Sequence, residues 1–255
     1  MKRRMTKWAG RGALLLSLGV MAGCASSGEM RERHPDDPWE GFNRKVFAFN
    51  DVVDRYALKP AARGYRFITP DPVENGVGNF FSNLGEIRTA LNSLLQGKGT
   101  NASVATGRFL INSTLGIGGL FDIATRMEIT GREEDFGQTL GAWGVGEGAY
   151  LVLPLLGPST VRDTAGLPAD MYTYPTTYIE EDKVRVSLTA LRVIDARAGL
   201  LDQEALISGD RYSFIRDTWL QQRRFEVQDG EMGADPFASD DFEFDDADFD
   251  DAFAE

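Results

Sequence analysis

The sequence is poor in the residues that carry most enzyme chemistry. There is one cysteine, Cys24, and one histidine, His34, in 255 residues. A lone cysteine excludes an internal disulfide, and one residue of each kind leaves no Cys/His set for a zinc site. The stretch GPSTV at residues 157–161 lacks the second glycine of a nucleophile elbow, and the single histidine lies far away in a polar tether. The glycines of GIGG and GVGEG do not make the G-x-G-x-x-G fingerprint of a dinucleotide site. No apolar run reaches the roughly 20 residues that a membrane-spanning helix needs. Basic residues are in deficit, with a net charge of −12. That balance removes the case for nucleic-acid binding and for a polybasic lipid-binding patch. The expectation is a protein that is not an enzyme, takes no cofactor or metal and binds no nucleic acid.

The two ends of the chain are strongly patterned. Lys2, Arg3, Arg4, Lys7 and Arg11 precede an apolar run, Ala13 to Met21, and then small residues. This is the pattern of a secretory signal peptide over residues 1–23. Met21-Ala22-Gly23-Cys24 resembles the lipobox of bacterial lipoproteins, in which the cysteine thiol takes the lipid. Ala25 stands where that pattern uses Asp for inner-membrane retention, which points to the outer membrane. Residues 24–35 then read as a lipidated polar tether. At the other end, residues 226–255 hold 13 acidic residues and no Lys or Arg. Such a block is expected to be disordered. Its phenylalanines leave two readings open, a solvated tail or a docking segment for a basic partner.

Residues 36–225 are long enough for one domain with a core of its own. Trp39, Phe42, Val46, Phe49, Val53 and Tyr56 follow 3-4 spacing behind an Asp37-Pro38 start, and Pro60 is expected to end that helix. A second helix starts at Asp71-Pro72 and stops at Gly97, with Val73, Val77, Phe81, Leu84, Ile87, Leu91 and Leu94 on one face. A third runs from Thr100 or Asn101 to about Leu115. Two more follow the spacing of Val184 to Leu201 and of Tyr212, Ile215 and Trp219, the last with Ser208 or Asp210 as its cap. The middle of the chain is rich in Gly and Pro yet apolar, which predicts short turns and loops instead of long helices. Its most apolar run is Leu151 to Leu156, readable as a core segment or as a hairpin dipping into lipid. The fold class is mainly α, with little or no β.

Five blocks carry a family resemblance: DPWEGFNRKVFAFN, NGVGNFFSNLGEIRTALNSLLQG, GRFLINSTLGIGGLFDIA, EDFGQTLGAWGVGEGAYLVLPLLGPSTVRD and RAGLLDQ…YSFIRDTWLQQRRF. In this order they resemble the MlaA (VacJ) family of outer-membrane lipoproteins. One departure is Gly148-Ala149-Tyr150, where the family usually reads Gly-Pro-Tyr. The resemblance implies a ring-like assembly of amphipathic helices with an apolar Gly/Pro-rich central hairpin, lipid-anchored at the inner, periplasm-facing leaflet of the outer membrane. It implies removal of misplaced phospholipid from the outer leaflet through an amphipathic pore. The implied partners are a trimeric porin and a periplasmic lipid carrier.

On this reading Cys24 is the lipidation site. Phe42 and Asn43 help set the state of the pore, or Phe42 is core and Asn43 packs the helix. Trp143 to Asp163 forms the hairpin and part of the wall, with Tyr150, Pro154, Gly157 and Pro158 shaping the turn. Arg162 and Asp163 face a headgroup, or pair with each other. Arg211, Tyr212 and Trp219 on the last helix are candidates for porin contact. The alternative is a structural porin- or envelope-associated lipoprotein with no transport role.

A Cys24→Ala protein is expected to be mislocalised, while its unlipidated body still binds vesicles or detergent micelles in a flotation assay. Purification as an ordinary soluble protein would count against the embedded ring.

Overall fold

The structure, a computed structural model, describes residues 34–207 and 209–230. The signal peptide, Cys24 and nearly all of the acidic tail lie outside the described residues. Helix α1 spans Glu40–Val53 and is followed by one wide π-type turn, Asp54–Leu58, and by α2, Lys59–Ile68. The long α3, Asp71–Leu95, and α4, Gly99–Thr114, form an antiparallel pair. Short helices α5, Ile123–Arg126, and α6, Phe136–Ala142, lead to a hairpin of β1, Tyr150–Leu153, and β2, Gly157–Thr160. Helices α7, Val161–Thr173, α8, Asp182–Gly199, and α9, Arg211–Val227, complete the described chain. The expectation of a mainly helical chain with little β agrees with this architecture.

Four local expectations are corrected. The first helix does not end at Pro60. The turn ahead of it widens, so that Lys59 N–H reaches back five residues to Asp54 O. Pro60 then stands in the first turn of α2, where its missing N–H removes no helical bond. Asp37 is not a helix cap; it is fully buried among side chains from other elements. The Gly/Pro-rich middle does make one regular helix, α7, with Pro168 inside it. The last helix also runs past 225, to Val227.

The apolar stripes of the sequence do form helical faces, but several of them point outward. Trp39 at the start of α1 and Phe42 and Phe49 along it are exposed, while Asn43 is fully buried. On α3, Val73, Leu91 and Leu94 are exposed while Asn83, Thr89, Asn92 and Ser93 are buried. The polar faces meet one another. Asn83 Nδ2 donates to Ser113 Oγ at 2.9 Å, Thr139 Oγ1 donates to Asn92 Oδ1 at 2.8 Å, and Asn101 Nδ2 donates to Ser93 Oγ at 2.9 Å. Arg108 of α4 reaches Glu86 of α3 at 2.5 Å and the Ile129 carbonyl at 2.6 Å. Buried polar groups are stable when they are hydrogen-bonded, and among these atoms only the Asn83 Oδ1 is left without a partner.

The crossing of α6 and α7 depends on glycine. A Cβ on Gly166 would lie 2.8 Å from the backbone nitrogen of Gly137, and neither backbone has room to retreat. Gly166→Ala is therefore expected to destabilise by about 2 kcal/mol. In detergent this should appear as a Tm lower by about 6 °C.

Candidate functional site: a clamped hairpin in a polar interior with an apolar outer surface

The hairpin is the centre of the arrangement. Tyr150 pairs with Thr160, Leu151 with Ser159, Val152 with Pro158 and Leu153 with Gly157. Pro158 has no N–H to give, and Val152 gives its own N–H away from the sheet, to Asn43 Oδ1 at 3.0 Å. Asn43 Nδ2 donates in turn to Tyr150 O at 3.0 Å and to Asp37 Oδ1 at 2.8 Å. Tyr150 N–H donates to Asp36 O at 2.8 Å. The outer edge of β1 is thus occupied by α1 and the residues before it.

Asp37 ties the hairpin to the last helix. Its second carboxylate oxygen accepts from the Tyr212 hydroxyl and, at 3.3 Å, from Arg216. Tyr212 packs edge-on against Tyr150 and Phe47, and Trp219 packs against Tyr150. Burial raises the pKa of Tyr212, and the Asp37 hydrogen bond raises it further, so the phenol stays protonated and keeps donating.

A second polar knot lies where α6, α7 and α9 meet. Arg223 donates to both oxygens of Asp135, at 2.6 and 2.7 Å, and to both of Asp163, at 3.1 and 2.9 Å. Arg162 Nε donates to Asp163 Oδ1 at 3.0 Å. Burial pushes the Asp135 carboxyl up, but the Arg223 guanidinium more than reverses this and holds it below its ordinary value. A cavity of about 200 Å³ opens beside the knot, lined by Pro158, Ser159, Asp163, Asp170, Trp219 and Arg223 among others. Asp170 sits on its wall and accepts from Phe136 N–H at 2.9 Å. Burial pushes its carboxyl up to about 6.

The outer surface has the opposite character. Phe67 is 90%, Ile68 77% and Tyr56 76% exposed, while the other side of α2 is fixed by polar contacts: Tyr65 to Asp195 at 2.9 Å, Lys59 to Glu204 and Arg66 to Asp202. Leu110, Leu115, Ile117 and Phe121 are exposed around the end of α4. Leu155 and Leu156 are exposed at the hairpin tip. Among the described residues, buried positions are polar or charged more often than apolar. Apolar exposure on this scale marks a surface that meets something other than water. No helix among the described residues is long and apolar enough to cross a membrane.

The structure brings Asn43, Tyr150, Tyr212 and Trp219 together around the hairpin, and Pro158, Arg162 and Asp163 beside the cavity. Phe42 is exposed on the outer face of α1, so the reading of Phe42 as core is corrected. Pro154 is exposed at the tip, and Gly157 opens β2 with a φ of +85°. Arg162 and Asp163 pair with each other. Tyr212 is buried, so its placement on an outward contact surface is corrected; Trp219 is half-buried and Arg211 pairs with Asp51 at 2.5 Å. Sequence reasoning missed Asp37, Asn50, Asp135 and Arg223. The one available signal was the seven-residue spacing of Asn43 and Asn50, which puts both on one helical face.

Comparison with known proteins agrees with the geometry. The model of the MlaA lipoprotein family matches residues 35–226. The chain belongs to the MlaA lipoprotein family. The intermembrane phospholipid transport system lipoprotein MlaA of Escherichia coli (strain K12) is 38% identical over 227 residues, covering 86% of this chain and 89% of that protein. The MlaA lipoprotein of Haemophilus influenzae is 33% identical over 225 residues, covering 86% and 90%. An uncharacterized protein of Rickettsia typhi is 39% identical over 196 residues, covering 75% and 78%. A solved structure described as "Structural basis for maintenance of bacterial outer membrane lipid asymmetry" superposes with a TM-score of 0.66 at 37% identity, covering 75% of this chain and 98% of that one.

Asp170 makes stability depend on pH. Its folded carboxyl titrates near 6, against an ordinary 3.8, so the fold prefers the neutral form. Stability is lost as pH rises from about 4 to about 6 and is flat above. Asp170→Asn keeps the acceptor for Phe136 N–H and removes the charge. It should stabilise by about 1 kcal/mol at pH 7.5, allowing for the water that still reaches the group, and by nothing at pH 4. Chemical melts in detergent at the two pH values check both signs.

Proposed function

We propose that this chain carries misplaced phospholipid out of the outer leaflet of the outer membrane. Its body lies in the periplasm-facing leaflet, anchored through Cys24, and passes the lipid to a periplasmic carrier. A trimeric porin is the proposed neighbour in the membrane. The single observation that carries the reading is the inverted polarity of the fold: apolar helical faces outward, hydrogen-bonded polar faces inward, in a family whose relatives are named for phospholipid transport. Such a body is suited to rest in a leaflet without spanning it.

The physical task is a barrier problem. A charged headgroup that crosses hydrocarbon meets a high desolvation cost, and a path lined with polar groups lowers it. Asn43, Tyr150, Pro154, Gly157, Pro158, Arg162 and Asp163 supply or support that path, with Phe42 among the apolar residues that meet the acyl chains. Asn43 works by holding the hairpin. Arg162 and Asp163 work as a neutralised pair, which offers hydrogen bonds without a net charge to trap a headgroup. Arg211 and the exposed side of α9 remain the proposed porin-facing surface. The reading needs no covalent step, no cofactor and no metal.

A strain lacking the protein should accumulate phospholipid in the outer leaflet and become more sensitive to detergent. An unchanged leaflet would leave only a supporting role in the envelope. Asn43→Ala strands one oxygen of Asp37, the Tyr150 carbonyl and the Val152 N–H, and should destabilise by about 3 kcal/mol. At matched abundance it should restore outer-leaflet composition less well than the native protein.

A further inference from the structure

Helix α1 does more than pack against the hairpin; one of its side chains takes the free edge of β1 and a second takes the end of the strand where the turn begins. Asn43 takes the carbonyl of Tyr150 and the N–H of Val152, both at 3.0 Å. Seven residues on, Asn50 takes the carbonyl of Leu153 at 2.9 Å and the N–H of Leu155 at 2.8 Å. Each amide therefore binds the carbonyl of one residue and the N–H two residues later; for Asn43 these are groups that a neighbouring strand would bind, and for Asn50 they lie where β1 ends and the turn begins. The two spacings agree. Seven helical residues advance about 10.5 Å, and the three residues from Tyr150 to Leu153 advance about 10 Å. A helix and an extended strand have different rises, and this is a register at which they coincide.

The two clamps differ in what depends on them. Asn43 is fully buried and shares Asp37 with Tyr212 and Arg216, so the interior is built on it. Asn50 is half-buried, and its hydrogen bonds run to the hairpin backbone alone. It acts at the point where the hairpin leaves the body. Beyond it Leu155 and Leu156 are 66% and 68% exposed. Leu155 has a φ of +63°, a conformation that leucine rarely adopts. Its N–H is the one that Asn50 accepts. The clamp thus holds in place a backbone turn that the leucine side chain disfavours.

We propose that Asn50 is a positioning residue for lipid movement: with Asn43 it sets the reach of the leucine tip from α1, and so the place of the tip among the acyl chains. The proposal rests on the phospholipid-transport reading. Loss of Asn50 leaves the β1–β2 pairing and the Asn43 contacts intact and frees the tip. The tip belongs to the same short segment as Tyr150, Pro158 and the Arg162–Asp163 pair, so its freedom bears directly on the polar path.

The test uses the full lipoprotein, reconstituted in phosphatidylethanolamine/phosphatidylglycerol vesicles. With Cys24 lipidated, Leu156→Cys gives a single free thiol for an environment-sensitive fluorophore. In the Asn50-containing protein, brominated acyl chains are expected to quench it within one narrow range of depth. Asn50→Ala should broaden that range and speed exchange of the Leu155 amide by about tenfold, one hydrogen bond's worth, with the Val152 amide unchanged. Asn50→Asp, of equal size, keeps the acceptor for Leu155 and loses the donor to Leu153, and should fall between the two. In cells, at matched abundance, Asn50→Ala should alter outer-leaflet phospholipid and Asn50→Asp should alter it less. Native-like quenching and exchange in both variants would overturn the proposal. So would a freed tip with unchanged outer-leaflet lipid, if gene deletion does change that lipid. If gene deletion leaves the lipid unchanged, the transport reading itself falls.

Discussion

One buried amide organises this fold. Asn43 lies on a helix that turns Phe42 and Phe49 outward, and it is itself fully buried. It is satisfied by Asp37, by the Tyr150 carbonyl and by the Val152 N–H. These contacts join four parts of the chain: the segment before α1, α1 itself, the hairpin and, through Asp37, helix α9. An unpaired polar group in such a place costs about twice what a hydrogen bond contributes, so the partners are held to their positions. The apolar exterior is the reason that the amide must be inside.

Polar interiors fix geometry more sharply than apolar ones, because a hydrogen bond has direction and an apolar contact has little. The same rule appears at the Arg223 knot, where one guanidinium meets two carboxylates, and along α3, where Asn83, Asn92 and Ser93 meet partners on other elements. Small residues let these faces approach. Gly137 and Gly166 cross with backbone against backbone. Close packing of this kind suits the proposed place in a leaflet, where the hydrophobic effect does not press helices together.

Much of the helical layout was legible in the sequence. The 3-4 spacing located α1, α3, α8 and α9, a further helix was expected where α4 lies, and the apolar run at Leu151 to Leu156 located the hairpin. Periodicity names a face and not the medium that the face meets. Trp39, Phe42 and Phe49 form a stripe whether the stripe meets a core or a lipid, so inside and outside had to come from structure. The site was less legible, because its bonds span long separations: Asp37 to Arg216, Asp135 to Arg223 and Asn50 to Leu155. Asp37 matched a capping pattern by its neighbours, and nothing local distinguishes a cap from a buried ligand of a distant tyrosine. Asp170 carried no signal either, since a carboxylate's burial is set by what packs over it.

The wide turn at Asp54–Leu58 has a consequence for rotation about the helix axis. One residue more than an ordinary helical turn offsets everything after it by about 100°. Helix α1 uses its azimuth to aim Asn43 and Asn50 at the hairpin; α2 aims Ala62 inward and Tyr65 at Asp195. A straight α-helical rod in one phase does not serve both sets of neighbours. The extra residue works as a phase shifter, letting one nearly continuous rod answer to two unrelated surfaces. Removing it would keep the rod and turn Phe67 and Ile68 away from the outside.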